Sequence, residues 1–184
     1  MRAVVAIFVI FIVVVLGVLL FGNHSSKPAA NTFTIKNLTN YASTDVEMRF
    51  TTDGQINGDD AHSQIVITIG RDKRSLQVIQ GYQGHVIKSE SFDNNKNAYS
   101  AFLHALDVAN FTKVRNSSVA NEQGQCALGQ RFIYETVNNG NKNLRTWSTS
   151  CNNLRTFGGQ TLLVQEIFQN QITNYNDYTS DVSL

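Results

Sequence analysis

The sequence predicts an α+β fold: an antiparallel sheet of about seven strands with two helices on one face, preceded by one transmembrane helix. Three observations lead there. Between residues 44 and 92, short runs that alternate apolar and polar residues are joined by tight connections. Parallel crossovers need a dozen or more residues, so such spacings select an antiparallel meander. Two later stretches carry apolar residues at helical spacing. An Asn139-Gly140 turn separates two further strand-like runs, and this dipeptide suits a type I′ hairpin because both central residues need positive φ.

The chain opens on Ala3 to Phe21, 19 residues with no charged or polar side chain. That run can cross a hydrocarbon core of about 30 Å. A cleaved signal peptide has a shorter apolar core, and Pro28-Ala29-Ala30 is a poor cleavage site. Residues 1–22 therefore read as an uncleaved signal anchor and residues 23–32 as a linker, with a domain over 33–175 and a polar tail over 176–184. No cysteine directly follows the apolar run, which argues against a lipoprotein anchor. Basic residues are nearly balanced across the span (Arg2 before it, Lys27 and Lys36 after it), so charge alone does not orient it. The short N-terminal tail and the paired cysteines favour an extracytoplasmic C-terminal domain. The expected localisation is a single-pass cell-membrane protein.

The elements follow in order. Phe33 to Asn40 alternates like a strand, and Asp45 to Thr51 places Val46, Met48 and Phe50 on one face. Ser63 to Gly70 does the same with Ile65, Ile67 and Ile69. Ser75 to Tyr82 and His85 to Phe92 complete the meander. Asp93 to Asn95 can cap a helix whose stripe is Tyr99, Phe102, Leu103, Leu106 and Ala109. Phe111 to Val114 reads as a short strand. Thr161 to Ile172 reads as the second helix, burying Leu163, Val164, Ile167 and Phe168. The last dozen residues are polar and are expected to be loosely ordered.

Cys126 and Cys151 bracket the Asn-Gly hairpin, and the only tryptophan, Trp147, lies between them. A simple two-residue turn sets Phe132 opposite Trp147 and Tyr134 opposite Arg145, on the side that packs against the helices together with Ile65, Ile67 and Ile69. Tyr134 over Arg145 would be a cation–π contact. In that register the cysteines are diagonal rather than opposed. A disulfide between them requires an irregularity near Gly129 or enough side-chain reach.

Chemistry-bearing motifs are sparse. Asp53, Asn57 and Asp59 sit where a calcium loop has early oxygen ligands. The twelfth position is Gln64 instead of a bidentate Glu, and the flanks read as strands, so an ordinary loop is the preferred reading. Asp60 with His62 supplies only two ligands to a transition metal. His104 falls on the solvent side of its helix. Glu90, Glu135 and Glu166 have no spacing that makes them a hydrolytic pair. Arg71, Lys73 and Arg74 form a basic hairpin tip. No nucleophile elbow or P-loop is present. No catalytic residue, cofactor or metal is predicted. Without Arg2 the chain carries 14 basic and 14 acidic residues, so nucleic acid has no electrostatic attraction to it.

Several phrases occur together: Gly81-Tyr82; Tyr99 with Phe102-Leu103 and Leu106; Cys126 with Gly129 and Arg131; Leu144 with Trp147 through Cys151; Phe157-Gly158-Gly159; and Ile167-Phe168 with Gln171-Ile172 and Tyr175. The set, over roughly residues 44 to 175, resembles a group of uncharacterised, membrane-anchored extracytoplasmic proteins of small-genome, candidate-phylum bacteria of the saccharibacterial kind. The resemblance implies a bacterial cell-surface setting and no particular activity. Ile172-Thr173-Asn174-Tyr175 departs from it, because a proline is expected after the isoleucine. The functional expectation is a non-catalytic binding or structural domain at the cell surface. Its partners would be the membrane, through the N-terminal helix, and a protein or envelope polymer. The alternatives are an envelope hydrolase whose acids meet only in three dimensions and an accessory subunit of a membrane complex.

Overall fold

The computed structural model describes residues 37–151 and 154–184. The predicted signal anchor, the linker and the start of the first predicted strand lie outside them. Among the described residues no helix is long and apolar enough to cross a membrane.

The sheet has six strands: β1 (Glu47–Asp53), β2 (Ser63–Ile69), β3 (Lys73–Gln80), β4 (His85–Asp93), β5 (Arg131–Asn138) and β6 (Asn141–Thr149). Their order is β4-β3-β2-β1-β5-β6, and every neighbouring pair is antiparallel. The first four form the predicted meander. Helix α1 (Lys96–Val108) follows β4, after which β5 joins the free side of β1. Asn95 caps α1 by accepting a hydrogen bond from Ala98 N at 3.0 Å. Helices α2 (Thr161–Gln169) and α3 (Tyr175–Thr179) complete the fold.

One face of the sheet carries the core. Phe50, Ile65, Ile67, Leu76 and Tyr134 pack against Tyr99, Phe102 and Leu106 of α1 and Val164 and Phe168 of α2. Phe168 touches both layers, with ring centroids 5.5 Å from Phe50 and 5.2 Å from Phe102. This is the layered solution expected when a one-faced sheet meets helices with apolar stripes.

Four expectations are corrected. The described end of the first predicted strand, Phe33–Asn40, is taken by a 3-10 helix over Leu38–Ser43, and among the described residues the sheet has six strands rather than seven. Asn37 accepts from Thr39 N at 2.8 Å, and Asp107 of α1 accepts from Leu38 N. Such side-chain bonds to nearby backbone compete with strand pairing. Phe111–Val114 forms no strand, and only Val114 makes an isolated bridge, to Phe157. The tail is ordered: Asn174 takes a left-handed conformation (φ 56°), one residue after Thr173 where the resemblance led us to expect a proline, and it precedes α3. Tyr175, Tyr178, Val182 and Leu184 then pack against the core.

The fourth correction concerns Trp147. The turn is as expected, with Asn138 opposite Asn141, but the register slips by one between Thr136 and Val137. A one-residue slip sends every following side chain to the other face. Trp147 therefore stands opposite Ile133, and Arg145 opposite Glu135. Tyr134 faces the helices and Trp147 does not, so neither the Phe132–Trp147 pair nor the Tyr134–Arg145 cation–π contact exists.

Cys126 and Cys151 form the disulfide, with Cα atoms 5.5 Å apart. The irregularity near Gly129 is a turn outside the strand: Cys126 has φ 53°, and Gly129 N donates back to the Cys126 carbonyl at 3.0 Å. A Cβ on Gly129 would stand 2.7 Å from Cys126 Sγ and 2.9 Å from Cys151 Sγ, so only glycine fits beside the bridge.

Candidate functional site: a charged cleft on the open face of the sheet

The face turned away from the helices is lined by the polar members of each alternating strand. β1 contributes Arg49, Thr51 and Asp53, because Met48 and Phe50, on the alternate positions, point into the core. β5 contributes Arg131, Ile133 and Glu135 by the same parity. The register sets Asp53 beside Arg131, Thr51 beside Ile133 and Arg49 beside Glu135. On the other flank, Gln64, Val66 and Thr68 of β2 stand opposite Asp53, Thr51 and Arg49.

Two loops raise walls over this floor. One, residues 54–62, brings Ile56 and His62; the other brings Glu122, Gln123 and Gly124. Ile56 N donates to the Ala127 carbonyl at 2.8 Å and ties the walls together. The result is a cleft of about 670 Å³, within the size range of small-molecule sites. Along β1 it runs from Arg49 to Asp53, about 13 Å at strand rise.

At the Asp53 end every polar group has a partner. Arg131 Nε donates to Asp53 Oδ2 at 2.6 Å, and its Nη2 donates to the Gly54 carbonyl. Gln64 Nε2 donates to Asp53 Oδ1 at 2.9 Å. His62 is fully buried; its Nδ1 lies 2.9 Å from the Gln55 carbonyl and its Nε2 3.0 Å from Asp53 Oδ1. A carbonyl can only accept, so Nδ1 carries a proton. Tyr82 stacks on the imidazole, with centroids 4.1 Å apart and planes within 12°. Its hydroxyl donates to the Asn57 carbonyl at 3.0 Å and accepts from Asn57 N at 3.2 Å. The ring is thereby held rigidly, with about half its surface open to solvent.

The other end collects charges around Glu135. Its Oε1 takes Lys142 Nζ at 2.7 Å and Arg145 Nε at 3.1 Å. Arg145 also grips Glu122 with both terminal nitrogens, Nη1 at 2.7 Å from Oε2. Burial alone would raise the Glu122 carboxyl, but the hydrogen bonds and charge of Arg145 hold it below the ordinary glutamate range. The same pairing raises the Arg145 guanidinium. Arg49 is the exception. Its Nη1 comes only within 4.0 Å of Glu135 Oε2, and its buried Nε has no hydrogen-bond partner.

The sequence-derived candidates are distributed as follows. Asp53 enters the Arg131–His62 network. Asn57 Nδ2 donates to the Ala61 carbonyl at 3.3 Å, and Asp59 Oδ1 accepts from Tyr82 N at 2.7 Å. All three serve the loop, and among the described residues no three His, Cys, Asp or Glu side chains are placed to hold a metal ion. His104 is exposed on α1. Glu135 lies in the cleft, while Glu90 and Glu166 belong to β4 and α2. Arg71 pairs with Asp72 and Asp45 at the hairpin tip. Of the cleft's charged residues, sequence reasoning missed Arg49, Glu122, Lys142 and the role of Arg131. The available signal was the alternation of Arg49, Thr51 and Asp53 with Met48 and Phe50.

No protein-family model matches this chain, and no curated protein matches it.

Proposed function

We propose that this protein is a membrane-anchored extracytoplasmic domain with a non-catalytic binding role at the cell surface, and that the cleft on the open sheet face is its binding site. The observation that carries the reading is the preorganisation of this cleft. Rigid strands form its floor, Tyr82 is fixed at its mouth by two hydrogen bonds, and its charged groups other than Arg49 are held by one another. Preorganised sites lose little freedom on binding. Anchoring by Ala3–Phe21 rests on the length and apolarity of that run. The disulfide supports an oxidising compartment. A protein or an envelope polymer at the cell surface is the natural source of a ligand.

One observation favours a hydrolase as the second reading: a carboxylate and an imidazole, Asp53 and His62, meet in the cleft at 3.0 Å. A general base needs a free atom within hydrogen-bond reach of the substrate. His62 is fully buried beneath Tyr82, with both ring nitrogens engaged. No Ser or Cys nucleophile lines the cleft. Binding is therefore preferred over catalysis.

The test uses the full chain in detergent micelles. Small-molecule mixtures are screened by methyl-resolved NMR, and the expected result is perturbation confined to Val66, Ile79 and Ile133. Hits that map elsewhere, or ester, amide or glycoside hydrolysis abolished by His62→Ala in a folded variant, would overturn the binding reading. Protease added to intact spheroplasts should digest the domain; protection would overturn its placement outside the membrane.

A further inference from the structure

We infer that the cleft takes a small organic acid, its carboxylate on the Arg49 guanidinium and its apolar part over Val66, Ile133 and Ile79. The inference rests on the binding reading above and specifies its ligand.

The charge count comes first. His62 aside, the cleft is lined by four basic side chains (Arg49, Arg131, Lys142, Arg145) and three carboxylates (Asp53, Glu122, Glu135), so one basic side chain has no carboxylate of its own. The geometry says which. Arg131 is matched by Asp53. Lys142 and Arg145 take Glu135, and Arg145 also takes Glu122. The unmatched cation is Arg49, whose ion-pair contact with Glu135 is 4.0 Å long, beyond hydrogen-bond distance. Its Nε–H is buried in the floor without a partner. Buried donors are rarely left unpaired, because each lost bond leaves a desolvation penalty standing. A guanidinium meets a carboxylate through two parallel N–H donors, and the two terminal nitrogens of the part-exposed Arg49 side chain supply such a pair.

One guanidinium without a close partner fits one carboxylate. A dianion would face Glu135 and Glu122 across the same floor without compensation. The rest of the ligand is set by what lies beyond Arg49 along the strands. Thr51, Val66 and Ile133 occupy the next row by register, and Ile79 and Tyr82 lie towards the far end. These surfaces are apolar or aromatic, with hydroxyls and amides between them. An acid with an aliphatic or aromatic body of about the cleft's length satisfies both parts.

The probes are phenylbutyrate and its neutral amide, phenylbutyramide, titrated into the full chain in micelles and followed by the methyl signals of Val66, Ile79 and Ile133. The acid should bind at least about tenfold more tightly than the amide, since hydrogen bonds to a charged partner are worth about 1.5–3 kcal/mol. Arg49→Gln should abolish that preference, and Arg49→Lys should keep part of it through charge alone. Each variant's dispersed spectrum reports that it is folded. Equal binding of acid and amide would overturn the inference while leaving the cleft a binding site. An acid preference that survives Arg49→Gln would overturn the role of Arg49. If neither probe moves the cleft signals, both the inference and the binding reading fall.

Discussion

The two ends of the cleft are built from the same kinds of residue and behave differently. At one end Arg131 is almost wholly buried, and its guanidinium meets Asp53, the Gly54 carbonyl and the Gln125 carbonyl. At the other, Arg49 projects from the central strand with a buried, unpartnered Nε and one long contact to Glu135. Both arginines sit one residue from a core-facing aromatic, Arg131 beside Phe132 and Arg49 beside Phe50. The difference is that the fold supplies hydrogen-bonded counter-charge and carbonyl acceptors to one and only the long Glu135 contact to the other. Arg131 is therefore a structural cation, and Arg49 is a cation left for something outside the chain.

The largest expected effect comes from removing Arg131. Arg131→Met leaves the Asp53 carboxylate buried without its cation, a change that typically costs about 3–5 kcal/mol. Denaturant unfolding of the variant should show a loss of that order. A cost below about 1 kcal/mol would mean that the Asp53 end is no more structural than the Arg49 end, and the contrast would be lost.

The disulfide comes next and belongs to the same end. Arg131 Nη1 donates to the Gln125 carbonyl, one residue before the bridged Cys126. Replacing both cysteines by alanine frees a loop of sequence separation 25, worth about 3.5 kcal/mol in the chain-entropy account. Methyl signals near Arg131 should shift in that variant, and those near Arg49 should not. Equal disturbance at both ends would show that the cleft responds as one unit. Thiol titration of the unfolded, unreduced protein should find no free thiol.

What could be read from the sequence divides along similar lines. The meander, the stripe of α1 and the Asn-Gly turn are local patterns, and each is visible in a window of ten or so residues. The face taken by Trp147 was not readable, because a single extra residue near Asn143 reverses the parity of everything after it. Where the strand expected at Phe33–Asn40 reaches the described residues, a 3-10 helix over Leu38–Ser43 stands instead, since Asn37 and the distant Asp107 satisfy backbone donors that a strand would have paired elsewhere. The tail was expected to be loose because it is polar, yet Tyr175 and Tyr178 bury enough ring to dock it. The site was the least legible part. Asp53 was noticed as part of an oxygen-rich loop, but its partner Arg131 lies 78 residues away. No local pattern reports a pairing made through strand order, and the β1–β5 adjacency that makes it follows α1 across the sheet.

A smaller effect tests the Arg49 end by pH. The Glu122 carboxyl lies below its ordinary value in the folded protein, held there by Arg145 against the opposing effect of burial. A depressed carboxyl stabilises the fold above the unfolded glutamate value, about pH 4.3, and that contribution disappears as pH falls through the folded value. Glu122→Gln should therefore be less stable than wild type at neutral pH, by on the order of 1 kcal/mol. The two should converge on acidification, as followed by denaturant midpoints. A gap that stays constant with pH would mean that Glu122 acts through packing rather than charge.

The smallest effect is the most informative. Arg49→Met removes a guanidinium whose Nε is desolvated and unpaired, and it gives up only a 4.0 Å contact. Glu135 keeps Lys142 and Arg145, so no carboxylate is orphaned. Methionine can take the same place in the floor, between Thr68 and Glu135 by register. Removing an unsatisfied buried donor is neutral or mildly stabilising, so unfolding should shift by less than about 1 kcal/mol and in the stabilising direction. A loss as large as that of Arg131→Met would show that Arg49 has a structural partner after all. The unmatched charge on which the organic-acid site depends would then not exist. Near-neutral stability combined with loss of acid binding would separate the two arginines as the structure divides them, one holding the fold and the other facing its ligand.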